Sequence, residues 1–172
     1  MGEPNQKVIL VVFLFYLIRT SAHCDWQGGA MLNLNSSNKI IITGAAGFIG
    51  FHLTKKLLSL GHQILGIDNL NNYYDINLKL NRLKKLKSLN NDSFSFSKVD
   101  ITKSSVLKKI FSNFKPDKVI NLAAQAGIRY SLKNPNSYVS ANIKGFMNIL
   151  ECCRHFNVNG LIYASSSSVY GK

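Results

Sequence analysis

The sequence predicts an α/β fold: a doubly wound parallel sheet with strands in the order 3-2-1-4-5 and helices on both faces. Three observations predict it. From Lys39 onward, short apolar runs alternate with amphipathic stretches, which is the pattern of a parallel sheet covered by helices. The first run leads directly into a glycine-rich turn, Thr43-Gly44-Ala45-Ala46-Gly47-Phe48-Ile49-Gly50. The second ends on an acid, Asp68. Right-handed crossovers between successive strands then give the stated order.

Each element has its own reason. Lys39–Thr43 reads as a buried strand, because Ile40, Ile41 and Ile42 leave it no polar face. Phe48–Leu60 reads as a helix with Ile49, Leu53, Leu57 and Leu60 inward, ended by Gly61. Gln63–Asp68 is the second strand, and the polar, aromatic stretch Asn69–Asp75 a loop. Ile76–Leu89 is a basic helix with Leu80, Leu83 and Leu86 inward. Ser93–Val99 alternates as a third strand should, Ser104–Phe114 is a helix, and Lys118–Leu122 is the fourth strand. Asn134-Pro135 reads as an N-cap followed by proline at the first helical position. The helix it opens runs to about Phe156, with Val139, Ile143, Phe146, Leu150 and Cys153 spaced for burial. Leu161–Ser165 is the fifth strand.

A chain of 172 residues is one domain's worth, and 46% hydrophobic content is enough to bury a substantial core. Lys and Arg outnumber Asp and Glu by 21 to 8, a formal charge of +13. That balance raises nucleic acid or an acidic membrane as partners. The lysines are dispersed, however, in pairs such as Lys55-Lys56, Lys84-Lys85 and Lys108-Lys109 on the polar faces of expected helices. A solvated basic surface is therefore expected and a nucleic-acid partner is not, while a polyanionic small substrate would gain from the field. Cys24, Cys152 and Cys153 have no metal-ligand spacing, so no metal site is expected. An odd, sparse set fits reduced thiols and a cytoplasmic location.

Residues 1–38 are expected to be an extension and residues 39–172 the folded unit. Within the extension, Val8–Ile18 is an apolar run between Lys7 and Arg19. It is short of the ~20 residues of a transmembrane helix. It matches the apolar part of an export signal, with Thr20-Ser21-Ala22 as a cleavage site, and a short membrane anchor is a second reading. A third is that residues 1–30, upstream of Met31, are dispensable for folding.

The glycine-rich turn carries the first functional expectation. Between a strand and a helix, it lets backbone approach a pyrophosphate where free N–H groups and the helix dipole favour negative charge. Gly44, Gly47, Phe48, Ile49 and Gly50 are its expected contacts. Asp68, 24 residues beyond Gly44, is placed for the adenosine ribose hydroxyls with Asn69 beside it. No arginine occurs among Asn69, Leu70, Asn71 and Asn72 to meet a 2′-phosphate, so NAD is expected over NADP. Taken alone, a glycine turn also serves as a mere tight connection. The strand before it, the helix after it and the acid beyond favour the cofactor.

The Gly-x-x-Gly-x-x-Gly spacing of Gly44, Gly47 and Gly50 resembles the extended short-chain dehydrogenases/reductases, the NAD-dependent epimerase/dehydratase family with its Rossmann-like domain. Asp100-Ile101 resembles the family's adenine-contacting pair, and Leu122-Ala123-Ala124 its turn along the cofactor. Ser165-Ser166-Ser167-Ser168-Val169-Tyr170-Gly171 resembles its fifth-strand motif. The stretches Gly66–Asp75 and Ala123–Ser131 are similar to those of UDP-glucuronate 4-epimerases. The resemblance spans 39–172, about the first half of such an enzyme.

What the resemblance implies is transient oxidation of a UDP-sugar. A Tyr phenolate takes the 4-hydroxyl proton, the C4 hydrogen passes to NAD, and the 4-keto sugar turns over before hydrogen returns to its other face. Ser166 is implied as the hydroxyl on the reacting oxygen, with Ser167 and Ser168 close to the sugar carboxylate. Arg129 and Asn142 are candidates for substrate contact, each with an ordinary surface role as the rival reading. Full-length relatives are expected to be homodimers. The family's Tyr-x-x-x-Lys has no counterpart in these 172 residues, so the sheet is expected to be truncated after the fifth strand, without the C-terminal substrate region. UDP-glucose-type 4-epimerases and nucleotide-sugar 4,6-dehydratases remain alternatives, although Ser166-Ser167-Ser168 stands where dehydratases commonly carry Asp-Glu. A non-catalytic dinucleotide-binding module is the alternative from another class.

Overall fold

A computed structural model describes residues 7–10, 38–89 and 92–165. In chain order the elements are β1 (Lys7–Leu10), β2 (Lys39–Thr43), α1 (Phe48–Ser59), β3 (Gln63–Asp68), α2 (Ile76–Leu89), β4 (Phe94–Lys98) and α3 (Ser104–Phe114). They continue with β5 (Lys118–Asn121), α4 (Ile128–Ser131), α5 (Pro135–Tyr138), a π-helix (Val139–Gly145), α6 (Phe146–His155) and β6 (Gly160–Tyr163). The sheet runs β1-β6-β5-β2-β3-β4, and every pairing in it is parallel. Without β1 this is the expected order 3-2-1-4-5.

The isoleucine run of β2 shows why the sheet is buried on both sides. Ile40 and Ile42 pack with Ile64, Phe51, Leu57, Leu83 and Leu86 under α1 and α2. Ile41, pointing the other way, packs with Ile67, Leu107, Phe111, Ile149 and Cys152 under α3 and α6. The two-residue period of a strand divides one apolar run between two cores. Cys152 and Cys153 are buried free thiols, and burial, with the neighbouring Cys152, pushes the Cys153 thiol up to about 12. They are packing residues of the core under α3 and α6, where burial disfavours the thiolate.

Four local expectations are corrected. Lys7–Leu10 pairs with Gly160–Tyr163 as a sixth strand, so part of the extension supplies backbone partners to the edge of β6. Within α2, Lys79 is buried and Leu80 exposed, the reverse of the apolar pattern, because Lys79 has an acid to meet. The expected single helix from Pro135 is interrupted by seven π-helical residues. The wider turn shifts the 3.6-residue register, leaving Val139 and Ile143 exposed while Ile149, Cys152 and Cys153 are buried. Ile49 of α1 and its C-cap Leu60 also lie outward, their places taken by Phe51, Thr54 and Leu58.

His62, immediately before β3, is fully buried, and its Nδ1 accepts the Asn38 N–H at 3.2 Å. Its Nε2 has no hydrogen-bond partner among the described residues. Burial, aided by the Lys118 charge, holds its pKa below 6.5. The unfolded chain therefore binds the proton more tightly, and stability present above about 6.5 is lost as pH falls from there towards the lower folded value. Urea melts at pH 7.5 and 5.5 are expected to show that loss, and His62→Phe to flatten it. An equal pH slope in the variant would assign the loss to other groups.

Candidate functional site

At the carboxyl ends of β2, β3 and β5 the chain leaves the sheet in three turns that meet. The turn after β2 passes closest. Gly44 has φ +71°, and a Cβ there would lie 2.9 Å from the Ala123 nitrogen and the Leu122 carbonyl carbon. A side chain at Gly50 would sit 2.1 Å from the Gly44 carbonyl oxygen. Gly44 donates its N–H to Ile67 O at 2.7 Å, fastening the turn to β3. Thr43 fastens it to β5: its hydroxyl donates to Asn121 Oδ1 at 2.6 Å and accepts the Ala123 N–H at 3.1 Å. Thr43 and Asn121 are both buried, and the sequence reading missed this pair. Neither residue belongs to a glycine motif, and only strand register shows that they meet.

Above these turns lies a cleft of about 680 Å³. Its walls include Gly44, Gly47, Phe48, Ile49, Gly50, Asp68, Asn69, Asp100, Ile101, Leu122, Ala123 and Ala124, so every expected cofactor residue meets in one space. Helix α1 points its N-terminus at it, with no side-chain cap and no acid in the first turn. Open N–H groups there favour an anion. Asp100 joins two turns: Oδ2 accepts from the Asn69 amide at 3.0 Å and Oδ1 from the Thr102 N–H at 2.8 Å. Burial would raise its pKa, but these hydrogen bonds outweigh it and the net shift is downward.

Asp68 is held more tightly than the sequence suggests. Oδ2 accepts the Ala46 N–H at 3.2 Å, Oδ1 accepts the Leu70 N–H at 2.9 Å, and Lys79 Nζ stands 3.8 Å from Oδ1. Lys79 also donates to the Asn71 backbone carbonyl and side-chain oxygen, at 3.1 and 2.9 Å. Arg82, one helical turn on, donates to Ala46 O at 3.2 Å and lies over the Phe48 ring. Both cations line the cleft. The expectation of an acid without basic neighbours is therefore corrected. It was drawn from the four residues after Asp68, whereas the cations arrive from α2.

The remaining candidates divide. Asn142, on the π-helix, accepts the Gln125 N–H at 2.8 Å and donates to Gln125 O at 3.0 Å. It thereby pins the backbone of the turn after β5. Arg129 is exposed on α4 and is not part of the cleft wall. Ser166, Ser167 and Ser168 lie outside the described residues. The stretches 66–75 and 123–131 meet through aromatic rings, Tyr73 standing 4.9 Å from Tyr130 between ring centroids. Tyr138 donates to the Ala126 and Gly127 carbonyls behind them. Among the described residues no group of three or more His, Cys, Asp or Glu could hold a metal, and no helix is long and apolar enough to cross a membrane.

Thr43→Val keeps the shape of the side chain and removes its hydroxyl, leaving the buried Asn121 oxygen and the Ala123 N–H short of a partner. The expected cost is about 1–3 kcal/mol, read by urea denaturation. A variant as stable as the parent would show that the pair does not hold the turns together.

The chain is similar in sequence and fold to known proteins. The sequence model of the family described as GDP-mannose 4,6 dehydratase matches residues 41–172. Protein CapI of Staphylococcus aureus is 56% identical over 133 residues, which are 77% of this chain and 39% of that protein. A UDP-glucuronate 4-epimerase of Thermodesulfobacterium geofontis is 48% identical over 130 residues, 76% of this chain and 40% of that protein. The chain thus spans about two-fifths of the length of these relatives. Among solved structures, a mutant UDP-glucuronic acid 4-epimerase from Bacillus cereus, in complex with UDP-4-deoxy-4-fluoro-glucuronic acid and NAD, is 37% identical with a TM-score of 0.68. The match covers 78% of this chain and 42% of that one. The UDP-Glc/GlcNAc 4-epimerase of Campylobacter jejuni is 30% identical with a TM-score of 0.69, covering 78% of this chain and 39% of that one. With a matching family model over most of its length, the chain belongs to the NAD-dependent epimerase/dehydratase family.

Proposed function

We propose that this chain is the NAD-binding part of a nucleotide-sugar 4-epimerase acting on UDP-glucuronate. The observation that carries the reading is the cleft, in which the glycine turn, Asp68, Asp100-Ile101 and Leu122–Ala124 line one space above an uncapped helix. The fit to a dinucleotide is good on three counts. The α1 N-terminus suits a pyrophosphate. Asp68 has about four lone-pair sites, two of them taken by backbone N–H groups, which leaves acceptors for ribose hydroxyls. The buried Ile101 offers an apolar contact to the adenine. Bound NAD would supply the acceptor for the hydrogen removed at C4 of the sugar.

The substrate assignment rests on stretches 66–75 and 123–131 and on relatives named UDP-glucuronate 4-epimerase. In this reading Ser166 holds the reacting hydroxyl, and Ser167 and Ser168 face the sugar carboxylate. Arg129 remains a candidate for the anionic part of the substrate, and Asn142 acts by holding the Gln125 turn. The whole protein's reaction needs a base for the 4-hydroxyl proton. A free tyrosine, with a pKa of ~10, is protonated at neutral pH and needs neighbouring positive charge to serve. The motif that brings Tyr and Lys together does not occur in these 172 residues, so the chain's own share is binding and positioning.

Two predictions follow from this division. The first concerns the phosphate turn. A Cβ at Gly47 would meet only Gly44 O, at 3.1 Å, whereas one at Gly50 would collide with it. Gly47→Val is therefore expected to keep a cooperative melt yet lose at least tenfold in NAD affinity, on the order of 1.4 kcal/mol. Calorimetric titration gives the answer, and normal binding by the folded variant would remove the turn as the phosphate site. The second concerns turnover. The purified 172-residue chain, given NAD and UDP-glucuronate, is expected to form no galacto product on chromatographic separation. Turnover that Ser166→Ala abolishes would overturn this and require the missing groups to come from a second chain.

A further inference from the structure

Resting on the cofactor reading above, we propose that Tyr73, braced against Gly127 and Tyr130, is a strap across the mouth of the cleft. Its opening sets how fast a dinucleotide enters and leaves. The strap joins two walls. Asn71, Tyr73 and Tyr74 line the cleft from the loop after β3, and Gln125 and Ala126 line it from the loop after β5. The two loops touch through Tyr73. Its ring centroid is 4.9 Å from that of Tyr130 and 4.7 Å from that of Tyr74. Its hydroxyl lies against Gly127, where a Cβ would collide with it. Gly127 has φ +95°, so glycine suits the position twice over, by its conformation and by the room it leaves for the tyrosine.

Both loops are fastened at their bases. Lys79 donates to two oxygens of Asn71, and Asp68 accepts the Leu70 N–H. On the other side Asn142 holds both main-chain groups of Gln125, and the Tyr138 hydroxyl donates to the Ala126 and Gly127 carbonyls. Between these anchors the walls are joined through the Tyr73 ring, so the ring contact is where they part most readily. Tyr73 is half-buried and Tyr74 exposed, and opening the contact uncovers little apolar surface. A dinucleotide lying between the glycine turn and Leu122–Ala124 occupies the space that these walls enclose, and it passes the strap on its way in and out. In the reaction read above, the hydrogen taken from C4 returns to the same sugar, so slow exchange of the cofactor does not hinder turnover. A strap that closes with or without ligand slows both directions alike. A residue that only touches the ligand slows release alone.

The test is stopped-flow binding of NADH to the full chain, followed by nicotinamide fluorescence, with excess NAD to chase it off. Tyr73→Ala is expected to raise the association and dissociation rates together, each by about tenfold, the scale of one lost aromatic contact. The Kd should then stay within about threefold of the parent's. Tyr73→Phe keeps the ring and is expected to keep both rates near those of the parent. Gly127→Ala should accelerate both by pushing the tyrosine aside. Combining it with Tyr73→Phe, which removes the colliding oxygen, should restore most of the difference. Strain from alanine at φ +95° is common to both and cancels in that comparison. If the wild-type chain binds neither NADH nor NAD, the cofactor reading fails and this inference with it. If it binds them and folded Tyr73→Ala leaves both rates unchanged, or raises dissociation alone with a matching loss of affinity, this inference alone is overturned. Should Tyr73→Ala fail to melt cooperatively, the Gly127→Ala comparison decides, and equal rates with and without Tyr73→Phe count against the strap.

Discussion

The structure depends on how closely main chain packs against main chain at Gly44. The end of β2 must turn beneath the Leu122-Ala123 backbone and meet the first turn of α1 at Gly50. Neither approach leaves room for a side chain. Once made, the contact sets three things together: the tilt of α1, the direction of its open N-terminus, and the distance between the turns after β2 and β5. The Gly44 and Thr43 hydrogen bonds hold the three strand ends at one level. A cleft lined from every side follows from that level, because loops leaving parallel strands at the same end must diverge around a common space.

Charge then shapes the cleft. The protein is strongly basic overall, and much of that charge is dispersed over helix surfaces and loops, where it serves a general field. Two cations are different. Lys79 and Arg82 are one helical turn apart on the buried side of α2, and they meet the acid at the end of β3 and the carbonyl of the phosphate turn. An acid and a lysine buried together are expensive unless their remaining donors and acceptors are met. Here the Ala46 and Leu70 N–H groups and the two Asn71 oxygens meet them. The polar wall of the cleft is thus preorganised, able to meet a ligand without rebuilding its hydrogen bonds.

The opposite wall is held by different means. The π-turn brings Asn142 to both main-chain groups of Gln125, and the Tyr73, Tyr130 and Tyr138 rings gather around the stretch that follows. Side chains marked by sequence as substrate contacts act here partly as clamps on backbone. Asn142 is the clear case, since its amide is committed to the turn.

The sequence by itself determined the parallel sheet, its order, and the residues that gather at the end of β2. Ile40, Ile41 and Ile42 state a strand buried on both faces, and the spacing from Gly44 to Asp68 states a βαβ unit. These are local signals, written in periods of two and 3.6 residues and in the backbone freedom of glycine. Only the tertiary structure decided the rest. The burial of Lys79 in place of Leu80 depends on an acid eleven residues away. The Thr43–Asn121 pair depends on register between strands 78 residues apart. The π-turn puts an extra residue in one turn, which periodicity alone cannot show. The pairing of Lys7–Leu10 with β6 depends on an edge formed by the last described strand. For Lys79, Thr43 and Lys7–Leu10 the deciding partner lies on another element, and the energy of the contact exists only once the chain has brought the two together.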